Sequence, residues 1–142
     1  SAEGQVLVGD AGLQAIREAG WDATGVGGLT MGADPVAYAI AAASFRVPPI
    51  IDAFSVRKEA KSHGTGRRIE GNFEPGQRVV IVEDVITSGG SALQAAAAVT
   101  EAGGIVAGVL ALVDREQGGR EKIEAMNHEV VAITTTTRLR LK

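Results

Sequence analysis

Val79, Val80, Ile81 and Val82 are four consecutive β-branched residues, and they restrict the fold more than any other part of the chain. Branched side chains favour an extended, pleated backbone. A strand that is apolar at every position, and not at every second one, is covered on both faces. Such a strand lies at the centre of a parallel sheet with helices above and below it. Glu83 and Asp84 follow, then a small-residue stretch over Thr87 to Ser91, then an Ala-rich run to Ala102 closed by Gly103. The order predicts a buried strand, a tight loop and a helix over Ser88 to Ala102.

The same units recur along the chain. Ile105 to Val113 reads as the next buried strand, and Gly119 to Met126 and Glu129 to Ile133 read as a helix and a strand. Upstream, Leu7, Leu13 and Ile16 stand near helical spacing within Gly4 to Ala19, which stops before Gly20. Gly25 to Gly28 ends a short strand. Asp34 supplies an N-cap and Pro35 a first-turn proline for a helix continuing to Ala43, and Ile50 to Val56 reads as a strand. Thr134 to Thr137 and Arg138 to Lys142 read as a strand end and a tail. Strands alternating with helices imply right-handed βαβ units, hence a doubly wound, mostly parallel α/β sheet with helices on both faces.

The 142 residues are enough for one domain over 1–142. Only 4% are aromatic against 45% hydrophobic, so the core is aliphatic. The absence of cysteine excludes disulfides and thiolate metal sites and fits a reducing cytoplasm. The apolar runs are too short to span a bilayer, so no membrane association is expected. A net charge of −3 offers no general attraction for nucleic acid. Positive charge is concentrated instead: five of the 14 Lys and Arg residues lie between Arg57 and Arg68, with His63 among them.

The segment Val79 to Ser91 carries the chemistry. In open parallel sheets ligands sit beyond the carboxyl ends of the strands, and Glu83 and Asp84 are expected at such an end. The loop Thr87 to Ser91 offers hydroxyls, backbone N–H groups and the positive end of a helix dipole, the elements of a phosphate cradle. Carboxylates beside that cradle would repel a bare phosphate. They suit sugar hydroxyls, a metal ion or a developing positive charge. No Gly-Lys-Ser or Gly-Lys-Thr follows, so this is not a Walker loop. A buried strand whose acids cap the next helix is the plainer alternative.

This ordered pattern resembles the signature by which type I phosphoribosyltransferases bind phosphoribosyl pyrophosphate (PRPP). The resemblance implies that Glu83 and Asp84 face the ribose hydroxyls, and that Val85, Ile86, Thr87, Ser88, Gly89, Gly90 and Ser91 hold the 5-phosphate. A second segment, Arg57-Lys58-Glu59-Ala60-Lys61-Ser62-His63-Gly64, resembles the catalytic loop of orotate phosphoribosyltransferases. By that likeness Arg57, Lys58, Lys61 and His63 bind PRPP, and Lys58, Lys61, His63 and Asp84 are catalytic. A basic run also fits a solvated face. Positive charge brought over departing pyrophosphate would stabilise the transition state and exclude water, with Gly64 and Gly66 as hinge points. In the family this loop reaches across a homodimer, so Lys61 and His63 would complete the partner's site while Lys58 serves its own.

A third segment, Val26 to Pro35, resembles the family's pyrophosphate loop, with Thr30, Met31 and Gly32 at the ligand. Some relatives carry a lysine there, near the place of Gly32. Asp114-Arg115 matches the family's Val-Asp-Arg element, which implies that Arg115, with Thr87, binds orotate. A planar guanidinium suits a carboxylate-bearing pyrimidine, although pairing of Arg115 with Glu116 is the simpler alternative. Mg²⁺ is implied as the cofactor, held mainly through PRPP and water near Glu83 and Asp84, with no direct protein ligand set. Family members usually begin with roughly 30 to 40 further residues that form a hood over the base; this chain is expected to lack them. The readings left open are a phosphoribosyltransferase for another base and a PRPP-binding regulatory or inactive domain.

Overall fold

The computed structural model describes residues 1–59 and 68–140. Along these the chain forms α1 (Ala2–Glu18), β1 (Gly25–Leu29), α2 (Asp34–Arg46), β2 (Asp52–Val56), β3 (Ile69–Gly71) and β4 (Arg78–Ile86). It continues with α3 (Gly90–Glu101), β5 (Ile105–Asp114), α4 (Gly119–Ala125), β6 (Val130–Thr135) and α5 (Thr136–Arg140). The strands make one sheet in the order β3-β2-β1-β4-β5-β6. All neighbours are parallel except β2 and β3. The doubly wound, mostly parallel sheet expected from the sequence is the fold observed.

β4 explains why. Val79, Val80, Ile81 and Val82 are all 0% exposed, and successive side chains point to opposite faces. Val79 and Ile81 enter a core with Ala95 and Val99 of α3 and Ile123 of α4. Val80 and Val82 enter a second core with Leu13 and Ile16 of α1 and Val36 and Ile40 of α2. Helices therefore cover both faces, as a strand without alternation requires. The one tryptophan, Trp21, lies against Gly108 of β5 where any Cβ would collide with its ring, and its indole N–H donates to Glu129 at 3.0 Å.

Several local expectations are corrected. β4 does not end at the acids but runs on to Ile86, because β5 pairs with it from Arg78 to Ile86. Asp34 is not an N-cap. Ala33 takes that place without a side-chain bond, and the Asp34 carboxylate accepts hydroxyl protons from Thr30 (2.6 Å) and Ser55 (2.8 Å). Residues 136–140 form a short helix where a tail was expected, with the N–H groups of Thr137 and Arg138 donating to Glu116 and to the Thr135 hydroxyl. The short antiparallel β3 was not anticipated; three residues carry too little pattern to read.

Candidate active site

β1 and β4 are neighbours, yet the chain leaves them in opposite directions: α2 carries it to β2 on one side and α3 to β5 on the other. The loops after the two strands therefore diverge and open a crevice at the switch point of the sheet, where doubly wound folds take their ligands.

One wall is the β1–α2 loop, residues 30–33. Thr30 N–H is bound to the Val56 carbonyl at 2.8 Å, and the Thr30 and Ser55 hydroxyls share Asp34, so three elements fix this turn. Gly28 beneath it packs so closely on the Val82 carbonyl that no side chain fits. Met31 is 79% exposed. Gly32 faces the acidic pair, since a Cβ built on it would lie 3.3 Å from Asp84 Oδ1. The loop offers backbone and the Thr30 hydroxyl but no cation.

The opposite wall is the β4–α3 loop. Glu83 and residues 85–92 line a small concavity of about 40 Å³. Gly89 adopts φ +86, a left-handed conformation that lets the chain turn into α3, and no side chain caps the helix. The first N–H groups of a helix lack partners within it, so α3 presents free donors there beside the exposed Thr87, Ser88 and Ser91. Gly119, at the start of α4, seals the loop from behind. A Cβ on it would strike the Thr87 carbonyl and lie 2.8 Å from Gly89 N.

The two acids differ in environment. Asp84 is exposed and accepts the Val85 N–H at 2.8 Å. Glu83 is 8% exposed, and burial, reinforced by the neighbouring Asp84 charge, pushes its carboxyl up to about 7. A glutamic acid whose folded value lies above the unfolded one stabilises the fold at low pH, and that stability is lost as pH rises through about 7. Glu83→Gln should therefore gain thermal stability relative to the parent between pH 5 and pH 8. Melting curves whose separation is the same at every pH would contradict this.

A third element closes the crevice from the β5 side. Arg115 is exposed at the end of β5 and makes no ion pair among the described residues, so the pairing with Glu116 is not seen; Glu116 accepts from Thr137 instead. Arg115 N–H donates to the Ile86 carbonyl at 3.0 Å, which ties this loop to the end of β4.

The basic segment joins β2 to β3. Its ends are clasped: Arg57 N–H donates to Arg68 O (2.7 Å), and the Arg68 guanidinium reaches the carbonyls of Arg57 and Lys58. Gln94 of α3 also donates to Lys58 O, at 2.9 Å, bringing the exposed Lys58 toward the β4–α3 side. The Arg57 guanidinium is engaged by Glu70 at 2.9 Å, and its Nε is buried without a hydrogen-bond partner among the described residues. Lys61 and His63, with Gly64 and Gly66, lie outside the described residues.

The structure thus brings together Thr30, Met31, Gly32, Glu83, Asp84 and residues 85–91, with Arg115 on an adjoining loop. Ser55, Gln94 and Gly119 were not foreseen as supports, and Asp34 reads in the sequence only as a helix cap. Among the described residues no group of three or more His, Cys, Asp or Glu side chains is placed to hold a metal ion. No helix among them is long and apolar enough to cross a membrane.

The chain matches no family model. It is 53% identical over 122 residues to the orotate phosphoribosyltransferase of Aquifex aeolicus, covering 86% of this chain and 66% of that protein. The Streptomyces avermitilis orotate phosphoribosyltransferase is 52% identical over 123 residues, 87% of this chain and 66% of the relative. The chain therefore spans slightly less than two thirds of the length of these curated relatives. Among solved structures, Mycobacterium tuberculosis H37Rv orotate phosphoribosyltransferase in complex with PRPP superposes with a TM-score of 0.85 at 44% identity, over 98% of this chain and 77% of that one. With this crevice and these relatives, the chain belongs to the orotate phosphoribosyltransferase family.

Proposed function

We propose that residues 1–142 act as one phosphoribosyltransferase domain that transfers ribose-5-phosphate from PRPP to orotate, giving orotidine 5'-monophosphate and pyrophosphate in pyrimidine biosynthesis. The observation that carries this reading is the switch-point crevice, in which an uncapped helix start and a buried–exposed acid pair face a loop of backbone donors. A relative at 44% identity crystallised with PRPP supports it.

In the reaction an orotate ring nitrogen attacks C1 of PRPP as the C1–oxygen bond to pyrophosphate breaks, with inversion and oxocarbenium character. The chain's part is to position and to neutralise. Residues 85–91 hold the 5-phosphate, Glu83 and Asp84 attend the ribose hydroxyls, and the loop of Thr30, Met31 and Gly32 holds the pyrophosphate, Met31 and Gly32 through backbone N–H groups and Thr30 by fixing the turn through its bonds to Val56 and Asp34. Without a lysine in that loop, the leaving group depends on Lys58 and, by the sequence likeness, on Lys61 and His63. Arg57 contributes through its backbone and its place at the base of the segment, since its guanidinium serves Glu70. Arg115 and Thr87 read orotate.

Mg²⁺ suits this site: it would be held mainly through PRPP and water, with the exposed Asp84 carboxylate and the adjacent Glu83 close by. When bound, the ion offsets the charge on pyrophosphate. A homodimer is part of the proposal. Tyr38 (54% exposed) and Phe45 (73%) stand seven residues apart on α2, and Met31 (79%) is exposed on the loop that leads into the helix. A second copy seated there would border the active site, where a shared catalytic segment has to act. The absence of cysteine fits a cytoplasmic location.

The test is pyrophosphate release from PRPP and Mg²⁺ offered with orotate, uracil or a purine. Release with orotate alone is expected. Release with another base would reassign the specificity, and PRPP binding without release would reduce the chain to a binding domain.

A further inference from the structure

We infer that Glu116 is a positioning residue for base recognition: by clasping the start of α5 it fixes the loop that presents Arg115. This rests on the reading of Arg115 as the orotate contact. Arg115 stands on the β5–α4 loop with an exposed side chain and no ion pair among the described residues, so nothing holds its guanidinium except the shape of the backbone beneath it. That backbone is pinned at three points. Arg115 N–H donates to the Ile86 carbonyl at 3.0 Å. Glu116 N–H donates to Oδ1 of the buried Asp114 at 2.8 Å. The Glu116 carboxylate accepts Thr137 N–H at 2.6 Å, across 21 residues of sequence.

The third pin differs from the others in what it joins. Thr137 lies in the first turn of α5, where backbone N–H groups have no partner within the helix, and an acid suits that end of the helix dipole. Hydrogen bonds from Thr137 hold the Glu116 carboxyl below the ordinary glutamate value. Glu116 also takes φ +61, a left-handed conformation unusual for a residue with a side chain. A bend of this kind directly after Arg115, closed by a long-range bond, sets the direction in which the arginine leaves the loop. The phosphate loop has a seat of its own in Gly119, which contacts it from the far side of the Gly118 turn.

The experiment compares Glu116→Ala, Glu116→Gln and Arg115→Ala by steady-state kinetics for each substrate and by calorimetric PRPP binding. Glu116→Ala should raise KM for orotate about tenfold, the loss of one charge-assisted hydrogen bond, and leave the Kd for PRPP within about twofold. Glu116→Gln keeps an acceptor oxygen and should recover most of the orotate KM. Wild-type behaviour of Glu116→Ala, or an equal loss for both substrates, would overturn the positioning role. Arg115→Ala separates the two claims: if it retains the parental KM for orotate, the base contact itself is wrong and the role of Glu116 falls with it. If it raises that KM while Glu116→Ala does not, only the positioning claim fails.

Discussion

Asp84→Asn is expected to lower turnover by at least about tenfold while leaving the melting temperature nearly unchanged. The substitution keeps shape and keeps an oxygen able to accept the Val85 N–H, which Asp84 Oδ1 now holds at 2.8 Å. What it removes is a negative charge at the mouth of the crevice, opposite Gly32 of the β1–α2 loop. In the proposed reaction the sugar ring becomes positive as pyrophosphate departs, so a fixed carboxylate is worth more in the transition state than in the ground state. Pre-placed electrostatic groups in closed sites are worth about 10²- to 10³-fold each. Asp84 is exposed, and solvent weakens it, which is why the lower bound is set near tenfold. The measurement is kcat at saturating substrates with a melting curve alongside. A variant with parental kcat would remove the acid pair from the mechanism.

Gly119→Val should act on binding, through a residue that never meets the ligand. Any Cβ at this position would run into the Thr87 carbonyl, the Ile86 side chain and Gly89 N, all at the back of the phosphate loop. The loop must move or the helix must, and Gly89 already stands at φ +86 with its own Cβ position closed by Gly119 O at 2.9 Å. Hydrogen bonds to a charged phosphate are worth roughly 1.5–3 kcal/mol each, so a displaced loop is expected to weaken PRPP affinity by at least about tenfold, with an overpacking loss of about 1–3 kcal/mol in stability. Gly118→Ala is the control. That site has open space around it, so its left-handed φ of +90 makes the change a backbone cost of about 1 kcal/mol with little effect on affinity. Equal PRPP Kd values for Gly119→Val and the parent would show that the loop does not depend on its seat.

The sequence was legible where structure and chemistry coincide in one contiguous stretch. Val79 to Val82 lack alternation because both faces of β4 are covered, and the acids and small residues that follow lie together because one strand, one loop and one helix carry them. The site around that stretch was less legible because its supports come from elsewhere in the chain. Asp34 looked like a helix cap by its position before a proline, but Ser55, 21 residues away, competes for its carboxylate. α5 is only five residues long and opens on two threonines with weak helical preference, and its first N–H groups are satisfied by Glu116 and Thr135, the first of which local pattern does not reach. β3 pairs through backbone at Phe54–Gly71 and leaves almost no side-chain periodicity. Arg57 reads as a ligand contact from the resemblance alone; its salt bridge to Glu70 depends on the antiparallel return of the chain, which the sequence pattern does not show.

The central claim is that the loop after β4 grips the phosphate of PRPP while Glu83 and Asp84 attend its sugar. Titration calorimetry of PRPP with Mg²⁺ into the folded protein tests it most directly. Saturable binding at one PRPP per chain, sharply weakened in Gly119→Val, is the predicted result. A well-folded parent protein that takes up no PRPP would contradict the account.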